Sequence, residues 1–250
     1  MDYPGYLPAY VLGGTLAIVT AVLAGLSVAL KRARWPEAKR RHALWSGAAL
    51  LTAWFFAALV PVVRGFYRSA PSRTPTIQYG VLLPIAAGVA LYWVWPALRR
   101  VLEAVPQEWI VGVQLYRALG LIFLVLYAQG RLPGSFAWPA GVGDIAVGLL
   151  APVVAIAYAQ RTRNANGWVR SWNLFGIADL VVAVGTGFLT SPSLLQRLAL
   201  DAPNELVTVF PLAMVPVFLV PLSILLHLAS LQKLHQAKAV GSPVSPIFAS

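Results

Sequence analysis

The chain has 250 residues, 59% of them hydrophobic and only 11% charged, with a mean hydropathy of +0.73. A soluble domain carries about twice that charge, and a soluble core of this size could not hide so much apolar surface, so a water-soluble globule is excluded. There is no cysteine, which removes disulfides, thiolate metal sites, iron–sulfur clusters and a cysteine nucleophile, while the net charge of +11 points either to nucleic acid or to basic loops flanking membrane spans.

The chain opens with "MDYPGYLPAY", which lacks a basic n-region. The first apolar run is therefore expected to stay as an anchor, not to be cleaved as a signal peptide. A helix needs roughly 20 apolar residues to cross a bilayer, and seven runs qualify. They lie at about 9–30, 43–63, 77–98, 109–129, 138–159, 171–190 and 207–230. Four contain no Asp, Glu, Lys or Arg; the other three carry one charge each, Arg117, Asp144 and Asp179. The fold class expected is all-α, one bundle of seven transmembrane helices over residues 1–235, with 236–250 as a flexible tail.

Loop charge sets the orientation. Thirteen Lys and Arg fall on one side, six of them in "KRARWPEAKRR" at 31–41, and five on the other. The positive-inside rule then puts the N-terminus outside and the C-terminus in the cytoplasm of an inner (plasma) membrane. The basic charge needs no nucleic-acid partner; the partner expected is the lipid bilayer, whose anionic headgroups the 31–41 cluster can touch. Tryptophans 35, 45, 93, 95, 109, 138, 168 and 172 fall near span ends, as an interfacial aromatic belt does.

The fifth span carries the first acid that demands a reason. An acid at mid-membrane costs about 2.5–3.5 kcal/mol on insertion scales, so Asp144 in "GVGDIAVG" needs a partner or a purpose. The sixth span echoes it: "GIADLVVA" at 176–183 places Asp179 at the matching position. Gly141, Asp144, Gly148, Ala151 and Ala155 form one helical stripe, and Asn173, Gly176, Asp179, Ala183 and Thr186 form another. Stripes this small let membrane helices approach closely, so both acids are expected to face a helix contact or an internal cavity.

The fourth span supplies the counter-charge on a face shared by Gln114 and Arg117. At 1.5 Å per residue Arg117 lies about 18 Å from the outer end of its span, Asp179 about 16 Å and Asp144 about 9 Å. Arg117 and Asp179 are therefore expected to pair, with Gln114 and Asn173 completing the hydrogen bonds and Asp144 a turn or more nearer the outside. One arginine cannot neutralise two ionised acids, which singles out Asp144 as the titrating group.

Between the sixth and seventh spans, "LLQRLAL" is expected to lie on the surface as a short amphipathic turn. Pro211, Pro216 and Pro221 make the seventh span a bent helix. His42 and His227 fall near span ends, where histidines are ordinarily solvated, and no cofactor or metal site is expected. No lysine lies in the seventh span, which excludes a retinal Schiff base. No P-loop, dinucleotide fingerprint, HExxH or GxSxG is present, so an enzyme is the weakest of three readings. The first is a protein moving or sensing a proton, cation or small polar solute. The second is a non-catalytic subunit or binding module, in which the same residues lock helices together and a membrane-protein partner or second copy covers the surface.

Overall fold

The computed structural model describes residues 3–241; the rest of the expected tail, 242–250, lies outside the described residues. Among the described residues there are helices, turns and no strand. Seven helices are long and apolar enough to cross a membrane. They begin with α1 (Leu7–Arg32), α2 (Glu37–Val63) and α3 (Ile77–Val94). A short helix, α4 (Pro96–Ala104), turns off α3 at Pro96, where the missing amide hydrogen starts a new helix. The fourth span is composite: α5 (Gln107–Gly112), a 3₁₀ stretch (Val113–Gly120) and α6 (Leu121–Ala128). Then follow α7 (Gly134–Ala159) and α8 (Ala165–Thr190). A π turn (Val215–Leu219) leads into α9 (Val220–Gly241).

The helices are not equally buried. The fourth span, α7, α8 and the last span pack into a tight inner group, while α1 and α2 form a hairpin that mostly faces outward. The small stripes of α7 and α8 explain the inner group. A Cβ on Gly148 would overlap the backbone nitrogen of Ala118, and a Cβ on Gly143 would overlap the Asp179 carboxylate. Backbones this close are possible only because those positions carry no side chain. Around this group the apolar surface is wide: Leu82, Leu83, Val153, Ile156 and Val181 are all exposed.

Several boundaries differ from the sequence expectation: α2 and α8 each begin six residues earlier than their apolar runs, at Glu37 and Ala165. Helix α7 begins at Gly134 behind Pro133, with Pro139 inside it and not at its start. Residues 209–213 form a bend and a turn, and α9 continues to Gly241, so the last helix is displaced toward the C-terminus and includes the first part of the expected tail. The "LLQRLAL" segment turns at Leu194 and Leu195, and the amides of Arg197 and Leu198 both donate to the Leu189 carbonyl, at 2.9 Å each, folding it onto the end of α8.

Candidate functional site

The site begins with the 3₁₀ stretch. Eight residues of 3₁₀ helix in the middle of a span are unusual, because the hydrogen bonds are poorer than in an α-helix and runs above 3–4 residues are uncommon. The π turn in the last span contains Pro216, which has no amide hydrogen to donate to the α ladder. The two irregular segments are joined nearby: Tyr116 shares a 2.6 Å hydrogen bond with Ser223 Oγ, and Gln114 Nε2 donates to the Ser223 carbonyl at 3.3 Å.

Arg117 stands at the centre, 3% exposed. Its Nε and Nη2 both lie 2.7 Å from Asp144 Oδ1, and Nη2 also donates to Asp179 Oδ2. Nη1 donates to the Gly176 carbonyl at 3.1 Å and faces His227 Nε2 at 3.3 Å. An arginine has only donors, so His227 Nε2 must accept, and the ring proton is on Nδ1. Nδ1 then donates to Asn173 Oδ1 at 2.9 Å. Asn173 Nδ2 donates to Ser230 Oγ at 2.8 Å, and Gln107 Nε2 reaches the same hydroxyl at 2.6 Å. A buried polar chain thus runs from Asp144 through Arg117, His227, Asn173 and Ser230 to Gln107, crossing the fourth span, α7, α8 and α9.

Asp144 is not set apart from the pair, as its sequence depth implied. Counted from Gly134, it is about 15 Å into α7, while Asp179 is about 16 Å from the end of α8, so the two acids reach one guanidinium at one level. Gln114 does not join the triad; it ties the fourth span to α9. Asn173 joins indirectly, through His227. The two acids are not equivalent: the Asp144 side chain is 14% exposed against 7% for Asp179. Beside Asp144 is a cavity of about 50 Å³, bordered by Tyr10, Thr15, Tyr116, Arg117, Asp144 and Ser223. That is room for a water molecule or a small ion.

His227 is fully buried, contrary to the solvated span-end position expected for it. The cause is the displaced last helix, which puts His227 in its interior. Trp172 likewise leaves the expected interfacial belt. It is 5% exposed, packs against His227 with ring centroids 4.9 Å apart and the rings tilted by 52°, and donates from Nε1 to the Val147 carbonyl at 3.1 Å. A sequence signal for this half of the site exists. Ser223, His227 and Ser230 are spaced four and three, a polar stripe on an apolar span like the stripes that marked α7 and α8. His227→Ala would leave Asn173 Oδ1 unpaired and a void beside Trp172. It is expected to cost about 2–4 kcal/mol, read as a lower unfolding temperature in detergent with both wild-type acids intact.

Among the described residues no group of three or more His, Cys, Asp or Glu is placed to hold a metal ion. What the site can do is narrower: hold two carboxylates on one guanidinium, with room for one small guest beside the more exposed of them.

Fold and site together define an α-helical bundle with membrane-span-like helices around a buried Arg–Asp–Asp centre. The chain belongs to the family described as "Domain of unknown function (DUF8737)", matched over residues 74–235. Every member of the polar chain falls within that range, while the α1 side of the small cavity and the α1–α2 hairpin fall outside it. No curated protein and no solved structure matches the chain.

Proposed function

We propose that this is a multi-pass membrane protein, N-terminus outside, in which Asp144 takes up a proton or a small cation from the outer side. The observation that carries this reading is the charge imbalance at one guanidinium: two acids share Arg117, and only Asp144 borders the water-sized cavity. With both acids ionised the centre carries a net negative charge in a medium that penalises it, so a proton or cation at Asp144 restores neutrality. Arg117 cannot itself release a proton, which rules it out as a link in a proton wire. Its role is mechanical. When Asp144 is neutralised, the guanidinium is held by Asp179, and the change reaches His227 and Asn173 through Nη1.

The test is flux and fluorescence on purified protein. In proteoliposomes with a trapped pH dye, wild type is expected to dissipate an imposed proton or sodium gradient and Asp144→Asn to lose that flux by at least tenfold. If the protein senses without transporting, Trp172 fluorescence, reporting on His227, should respond to pH or cation in wild type and not in Asp144→Asn. If neither signal exists, the proposal fails.

The second reading, a non-catalytic subunit, is favoured by a different observation. The polar chain joins four helices through side chains that are almost all satisfied, as an interhelical lock requires. Stable co-purification of a second membrane protein or a second copy with unchanged Asp144→Asn behaviour would favour it.

A further inference from the structure

A second cavity, about 2050 Å³, shares no lining residue with the polar one. It lies between the α1–α2 hairpin and the wall made by α3, α4, the start of α5 and α9. One face of α2 borders it almost from end to end: Lys39, Ala43, Gly47, Leu50, Trp54 and Ala57, spaced four, four, three, four and three. At 1.5 Å per residue that face is about 27 Å long. Along α9 the lining runs from Leu222 to His235, about 20 Å. Ordinary ligand pockets occupy about 300–1,000 Å³, so this space is too large and too deep for a small polar solute.

Its walls are apolar over this depth, and its charges gather at one end. Arg34 in the α1–α2 turn, Lys39 in the first turns of α2 and Arg100 on α4 line that end, against a single acid, Glu108. His42 and His235 also line the cavity. Helix α4 is built for this position: Ala97, Leu98, Val101 and Leu102 line the cavity, Arg100 borders it at the edge of that apolar face, and Arg99 and Glu103 do not line it. A short helix with one apolar face and charges on the other lies at a membrane interface. The cationic end therefore sits at headgroup level and the apolar body at acyl-chain depth.

We propose that this cavity is a binding site for an anionic amphiphile, with a phosphate headgroup at Arg34, Lys39 and Arg100 and its hydrocarbon chains along α2 and α9. Charge complementarity selects the head, since each cation near an anionic headgroup is worth about fivefold in affinity. Depth selects the tail, since about 20 Å of apolar wall covers two thirds of a hydrocarbon core roughly 30 Å thick. The α1–α2 hairpin that borders the site lies outside the matched family range.

The experiment is lipid retention by the full chain, read by native mass spectrometry after exchange into detergent containing equimolar dioleoyl phosphatidylglycerol and dioleoyl phosphatidylcholine. A parallel arm replaces the glycerophospholipid anion with a long-chain prenyl monophosphate. The wild type is expected to retain one of the anions at least tenfold over phosphatidylcholine, and the arm that wins identifies the source of the phosphate. The triple variant Arg34→Gln, Lys39→Gln, Arg100→Gln changes exposed side chains that form no ion pair among the described residues, and it is expected to lose that preference. Ala53→Phe with Ala87→Phe fills the body and is expected to lower retention of the anion at least fivefold while leaving the charges in place. Equal retention of anionic and zwitterionic lipid, or an anionic preference that survives both variants, would overturn the proposal. So would a cavity found occupied by a second copy of the chain, reported as a dimer that excludes lipid.

Discussion

Arg117→Gln is expected to lower the unfolding temperature by about 10 °C. Removing one partner of a buried ion pair typically costs 3–5 kcal/mol, because the remaining charge is left uncompensated. Here two carboxylates, Asp144 and Asp179, would be left facing each other with no cation. For a chain of this size each kcal/mol shifts the midpoint by roughly 2–4 °C. The effect should depend on the acids. The double variant of Arg117→Gln with Asp179→Asn is expected to recover about half of the loss, and the triple variant that adds Asp144→Asn more still, since apolar or neutral replacements of a whole buried ion cluster are often tolerated. The cycle separates the two readings of the site. Asp179, the less exposed acid, should couple strongly to Arg117, by more than about 1 kcal/mol. Asp144→Asn alone should be neutral or stabilising, because an acid kept for function is commonly kept at a cost in stability. Equal, strong coupling of both acids to Arg117 and a destabilising Asp144→Asn would mark the centre as a lock.

The second large effect is expected at glycines. Gly148→Ala places a Cβ on the backbone nitrogen of Ala118, and Gly143→Ala places one on the Asp179 carboxylate. Backbone cannot yield as a side chain does, so Gly148→Ala must push α7 away from the 3₁₀ stretch that carries Arg117. A cost of about 3 kcal/mol, the upper end of ordinary overpacking, is expected for each in detergent unfolding assays. Gly185→Ala is the control: nothing lies within 4 Å of its Cβ position, although it belongs to the same α8 as Asp179. There the helix-propensity gain of about 0.5–1 kcal/mol is expected instead. If Gly148→Ala and Gly185→Ala behave alike, the close approach of α7 to the fourth span is wrong, and with it the placement of Asp144 beside Arg117.

Much of this architecture is legible in residue order because it follows from local rules. The hydropathy of each run sets how many membrane-length spans there are, and helical spacing alone puts Asp144 and Asp179 on stripes of small residues and Arg117 on one face with Gln114. The presence of a charged centre therefore needs no tertiary information. Its membership does. Counting the depth of Asp144 from residue 138 starts the helix too late, because Pro139 marks a helix start as readily as a tolerated kink; only packing places the start at Gly134 and brings both acids to one arginine. His227 was lost for a related reason. Residues 209–213 are as apolar as a span, and hydropathy cannot tell a buried turn from a helix, so hydropathy places the last helix too early and its histidine too near an end. The stripe of Ser223, His227 and Ser230 carried the information, but a stripe names a face without naming what it meets. The large cavity lies further still from sequence reach. It is the gap between two groups of helices, and which apolar face is left without a neighbour is decided only when all the others have found theirs.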